Sequence, residues 1–140
     1  MEQALFCNAC GHQITGWLRP ILAPSDAARL CRFDEDGGMA PIPPGYVLMI
    51  DDKMLRDLAD KVSGIAAPPA SWLNLTDLTE CVGYWPLPGR RNGCCGLDGM
   101  DGPNRICRCG AEIGTEQSDC WTWHIFTPLS QNTTWKKHDD

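Results

Sequence analysis

Cys7 and Cys10 stand three residues apart and are followed by Gly11. Two thiolates at that spacing on a tight turn can reach one ion. The glycine tolerates the left-handed backbone that turns amides toward the sulfurs. A thioredoxin-type redox pair has the same spacing but follows a strand-rich unit, and no such unit precedes this pair. The chemistry expected here is that of a zinc knuckle. Cys107-Arg108-Cys109-Gly110, about 100 residues downstream, reads as a shortened second knuckle, and two knuckles close a ribbon around one tetrahedral ion.

Further donors lie between and after the knuckles. Cys94-Cys95-Gly96 is one set, and Cys120-Trp121-Thr122-Trp123-His124 has ligand spacing if it forms a helical turn. With Cys7, Cys10, Cys107 and Cys109 these make eight candidate donors. Eight could fill two four-coordinate sites, while one site with spare thiols is the favoured arrangement. Adjacent cysteines do not easily face one ion, so one of Cys94 and Cys95 is expected in the core. His124 is open between a ligand and an edge residue. His12 reads as a turn residue, too close to Cys10 for comfortable chelation. Cys31 and Cys81 stand apart in apolar contexts and are expected to be buried.

Other site patterns are missing from the sequence. It has no His-Glu-x-x-His helix, no His-x-Glu with a downstream cysteine pair, no phosphate loop ending in Gly-Lys-Ser/Thr and no Gly-x-Ser-x-Gly elbow. Asp98-Gly99-Met100-Asp101-Gly102 hints at a calcium loop but lacks the spacing to a glutamate. Many sulfur donors and few general bases point to closed, structural zinc, one or two ions, rather than a catalytic ion or an enzyme.

The elements that must carry these residues are short. Ala4-Leu5-Phe6 leads into the first knuckle, and Gln13-Ile14-Thr15 leads out. Residues 33–45 read as a loop. Tyr46-Val47-Leu48-Met49-Ile50 reads as a buried strand. A helix is expected over 53–63, capped by Asp52, with Met54, Leu55, Leu58, Ala59 and Val62 on one face and Gly64 at its end. Trp72-Leu73-Asn74-Leu75, Arg105-Ile106-Cys107 and Thr122 to Phe126 read as strands. Residues 86–104 are mostly turn residues, and a stretch this irregular inside a domain needs cross-links to hold it.

With 140 residues the chain fits one domain able to bury a real core, yet Gly 14 and Pro 11 demand much loop. Nine cysteines mean either disulfides in an oxidising compartment or thiolate metal sites in a reducing one. The opening Met-Glu-Gln-Ala-Leu-Phe-Cys has no basic stretch followed by an apolar one. No apolar run approaches a membrane span of about 18 residues. An odd thiol would be left by any disulfide scheme. A cytoplasmic, metal-binding protein is therefore expected, and the sequons at Asn74 and Asn132 read as chance. The formal charge is −6 and the pI about 4.9, which opposes non-specific nucleic-acid binding. The charge is uneven. Residues 51–82 hold six acids and three bases, whereas 83–110 hold Arg90, Arg91, Arg105 and Arg108 against Asp98 and Asp101.

Four stretches resemble a family of small, cysteine-rich bacterial proteins without an assigned activity. They are Asn92-Gly93-Cys94-Cys95-Gly96-Leu97-Asp98-Gly99, Gly102-Pro103-Asn104, Cys107-x-Cys109-Gly110-x-Glu112 and Gly114-Thr115-Glu116-x-Ser118-Asp119-Cys120-Trp121, joined by Cys7-x-x-Cys10-Gly11. The resemblance covers about a third of the chain and leaves out residues 20–85. It implies a shared zinc-held fold and no reaction. The polar members of these motifs (Asp98, Asn104, Glu112, Glu116, Ser118 and Asp119) are expected to orient loop amides, in preference to forming a recognition surface.

The fold expected is α+β: a small, mostly antiparallel sheet, one clear helix and a zinc-ribbon-like, loop-rich cysteine region. Residues 1–134 form the domain and 135–140 a flexible tail. The function expected is a protein-interaction module, with an immunity-type inhibitor of a basic partner as one instance. The alternative is a nucleic-acid-binding zinc ribbon using Arg90, Arg91, Arg105 and Arg108 with Tyr84, Trp85, Trp121 and Trp123. A thiol enzyme or redox protein ranks third.

Overall fold

Residues 1–33, 40–58, 70–120 and 122–138 are described by a computed structural model. In chain order the strands are β1 (Gln3–Cys7), β2 (Arg19–Ile21), β3 (Tyr46–Ile50), β4 (Ala70–Leu73), β5 (Val82–Tyr84), β6 (Arg105–Cys107), β7 (Glu112–Gln117), β8 (Ile125–Pro128) and β9 (Thr133–Lys137). Helix α1 spans Pro24–Leu30 and α2 spans Asp52–Leu58. Seven strands form one sheet in the order β2-β3-β4-β8-β7-β6-β5, antiparallel except for β2 on β3. β1 and β9 form a separate antiparallel ribbon. The architecture is α+β, as expected.

Alternation along three neighbouring strands divides the interior in two. Successive strand residues point to opposite faces. Leu48, Trp72 and Ile125 therefore join one core with Ile21, Ala27, Phe33, Ile42 and Met54, the side covered by the helices. Val47, Leu73 and Phe126 join the other, with Leu5, Ile14, Leu18 and Ile113. Cross-strand pairing locks this register: Val47 opposes Leu73, Leu48 opposes Trp72, and Leu73 opposes Phe126. A slip of one residue would exchange the two cores. The second core also contains Cys7, Cys81 and Cys107, so the knuckle strands are anchored in apolar packing.

Several expectations are corrected. The cap of α2 is Asp51, whose Oδ1 accepts the Met54 amide at 2.7 Å; Asp52 is instead the first helical residue. The end expected for this helix, from Ala59 to Gly64, lies outside the described residues. Helix α1 was not expected. It is short, has no capping side chain and buries only Ala27, so it leaves no periodic signal. Residues 135–137, expected in the tail, belong to β9, because β1 needs a partner for its backbone groups and Leu5 pairs with Trp135. The strand expected from Thr122 begins at Ile125. No helix among the described residues is long and apolar enough to cross a membrane.

Candidate metal centre

The two knuckles share one hydrogen-bond pattern. In the first, Cys7 N donates to His12 O at 2.9 Å and Gly11 N to Cys7 O at 2.8 Å. In the second, Cys107 N donates to Ala111 O at 2.9 Å and Gly110 N to Cys107 O at 2.8 Å. The second is one residue shorter, as its Cys-x-Cys spacing requires. Each chain reversal puts a glycine in the left-handed region, Gly11 at φ 78° and Gly110 at φ 94°, where a side chain would be strained. Amides then point at sulfur: that of His12 at Cys10, that of Cys109 at Cys107, and that of Ala111 at Cys109.

β1 ends at Cys7 and β6 ends at Cys107, and both residues are buried while Cys10 and Cys109 are exposed. The four sulfurs lie within 4.8 Å of one another. Cys7 and Cys109 sulfurs are 3.8 Å apart, and those of Cys10 and Cys107 are 3.4 Å apart. A zinc tetrahedron with Zn–S near 2.3 Å has S···S edges of about 3.8 Å. The donor set is therefore able to hold a metal ion in size and in chemistry. Burial raises the Cys107 thiol, whereas the Ala111 amide holds that of Cys109 below its ordinary value. His12 is not part of the group, but its Nδ1 is 3.0 Å from Cys10 Sγ and so steadies that thiol.

A second group, Cys94, Cys95 and Cys120, also has sulfurs within 4.8 Å of one another, and all three residues are exposed. Seven of the thiols sort into a group of four and a group of three, and one expectation fails here. Neither Cys94 nor Cys95 is in the core, because the loop folds around the buried side chain of Asp119 and turns both outward. Asp119 is held well below the usual carboxylate range, chiefly by the Cys95 amide. Cys120 is pushed up to about 12, first by its hydrogen bond with Cys95 and then by burial, so an arriving ion would displace its proton. His124 Nε2 lies 3.2 Å from Asp119 O, outside the thiol group. Cys31 and Cys81 are buried, as expected.

The basic and aromatic island is largely engaged within the domain. Arg105 is buried; its Nη1 donates to Glu116 Oε1 at 2.6 Å, and its other nitrogens donate to Gly83 O and Val82 O. Its guanidinium lies 4.0 Å from the Tyr84 ring centre. Arg90 pairs with Glu112 and stacks 3.9 Å over Trp85. Arg91 and Arg108 are exposed. Trp123 packs edge-on against Phe33 under the helices, and Trp121 lies outside the described residues. Asp98, Ser118 and Asp119 hold loop amides, as expected of the polar motif residues, whereas the carboxylates of Glu112 and Glu116 are taken by Arg90 and Arg105. Asn104 is fully buried, with Nδ2 donating to Glu116 O and Oδ1 accepting from Glu116 N.

A cleft of about 450 Å³ runs beside Met49, Thr115, Thr127, Leu129 and Trp135. Among the described residues no acid, base or thiol lines it. Comparison with protein-family models, curated proteins and solved structures gives no significant match.

Proposed function

We propose that this domain binds one structural zinc ion through Cys7, Cys10, Cys107 and Cys109 and acts as a protein-interaction module for a basic partner, of which an immunity-type inhibitor is one instance. The observation that carries the reading is the convergence of two matching knuckles from opposite ends of the chain. An ion there ties β1 to β6 and closes a loop of about 100 residues in the unfolded chain. The metal is zinc because four thiolates suit a soft, tetrahedral ion with no open position. The partner is a protein because the formal charge is −6, and because Arg90 and Arg105 spend their charge on Glu112 and Glu116. The exposed acids Asp51, Asp52 and Asp57 around α2 would steer a basic surface. Arg91 and Arg108 alone give the nucleic-acid alternative a small footing.

Affinity capture from cell lysate at low and moderate salt, with the wild-type protein and D52K/D57K, tests the partner. The expected result is a basic protein retained by the wild type and weakened in the variant. A nucleic-acid ligand released steeply by salt would overturn the reading in favour of the alternative.

A further inference from the structure

The second thiol group differs from the first in a way that assigns it another role. We propose that Cys94, Cys95 and Cys120 form an open three-thiolate site that takes an exchangeable thiophilic divalent ion, with the fourth coordination position left to an external donor such as an imidazole or a small thiol. This goes beyond the structural ion and does not depend on it.

The geometry starts from Asp119, whose residue is completely buried. Its Oδ2 accepts the Cys94 amide at 3.0 Å, and its Oδ1 accepts the amides of Cys95 and Cys120, each at 2.8 Å. One carboxylate thus fixes the backbone of all three thiol-bearing residues. This overcomes the ordinary difficulty of facing two adjacent cysteines toward one ion. The loop carrying Cys94 and Cys95 is then pressed onto the end of β7. Ser118 N donates to Leu97 O at 2.8 Å, and Leu97 N donates to Ser118 Oγ at 3.2 Å. A Cβ on Gly96 would lie 2.4 Å from Ser118 O, so only glycine permits the approach. Ser118 Oγ in turn donates to Glu116 Oε2 at 2.6 Å, and Glu116 is held by buried Arg105. The three sulfurs are therefore preformed on a braced platform, which is what binding an ion without folding around it requires.

The fourth position is open by elimination among the described residues. The thiol group has three members. The nearest carboxylate, Asp119, spends both oxygens on amides, and His124 Nε2 faces Asp119 O. All three thiols are exposed, so solvent or a partner's donor reaches the ion directly. Three protein ligands with a free position define a site at which an ion exchanges ligands, in contrast to a closed four-cysteine site. On binding, the three thiol protons pass to solvent and no electrons move.

The test is stepwise reconstitution of metal-free, fully reduced protein with Co(II), followed by addition of imidazole. Two ions per chain are expected. The absorption bands of one should be unmoved by imidazole, and those of the other should shift. Cys120→Ser should abolish the imidazole-sensitive ion alone, with the melting curve of the one-ion form retained. Cys94→Ala is the second variant should Cys120→Ser fold poorly. The exchangeable ion should pass to a competing chelator faster than the other, because its open position admits the incoming ligand. The absence of any ion whose spectrum shifts with imidazole would overturn the proposal. An imidazole-sensitive ion taken up without an imidazole-insensitive one would overturn the structural-zinc reading alone, so the two failures are seen separately.

Discussion

The Cys7–Cys10–Cys107–Cys109 group and the Cys94–Cys95–Cys120 group lie in one small domain and are shaped by opposite means. The first is shaped by backbone: two strand ends turn through glycines, and amides reach the sulfurs. Two of its thiols sit in the second core, so that group and core are continuous. The second is shaped by a side chain: one buried carboxylate gathers three amides and turns three thiols out to solvent. The lesson is that thiol count alone does not define a metal site. What surrounds the sulfurs decides whether an ion holds the fold together or is held by it.

Removing a knuckle thiol should have the largest effect. Structural zinc contributes on the order of 10 kcal/mol of folding free energy, comparable to the whole stability of a domain, about 5–15 kcal/mol. Cys107→Ser should therefore lose its ion and its cooperative melt by circular dichroism. A variant that kept both would break the distinction between the groups from the structural side. The bracing beneath the second group comes next. Glu116→Gln leaves the buried Arg105 cation without its counter-charge and should cost about 3–5 kcal/mol in urea denaturation. The apolar double variant Arg105→Met/Glu116→Leu should recover part of the loss, because no unpaired charge remains.

Asp119→Ala should act locally. It strips acceptors from three amides, worth about 1–3 kcal/mol for groups left unsatisfied, and metal analysis should show the knuckle ion still bound. Loss of the knuckle ion in this variant would mean the groups are coupled. The smallest effect sharpens the comparison with the core thiols. Cys31 is buried, whereas Cys94, Cys95 and Cys120 are exposed, so an alkylating reagent reaches Cys31 only when the core opens. Alkylation followed by mass mapping should modify Cys31 after the three exposed thiols once the ion is removed.

The first knuckle was legible because its whole device is local: Cys-x-x-Cys-Gly states spacing, turn and amide direction within five residues. The strand over Tyr46–Ile50 was equally plain, since burial on both faces makes a continuous apolar run. The grouping of the remaining thiols was not legible. It depends on Asp119 folding a loop that begins 25 residues earlier in the chain, and nothing in Cys94-Cys95 itself reveals an acceptor so far away. Arg105 misled for a related reason. In sequence it belongs to a basic island, but its strand position turns it inward onto Glu116 and Tyr84. Helix α1 escaped because a seven-residue element with one buried side chain carries no period to detect.

X-ray absorption at the zinc edge, on Cys120→Ser protein isolated with its native metal, tests the central claim most directly. With the open site disabled, the account predicts one zinc per chain surrounded by four sulfurs at about 2.3 Å. A metal-free chain, or a zinc shell containing nitrogen or oxygen, would contradict it.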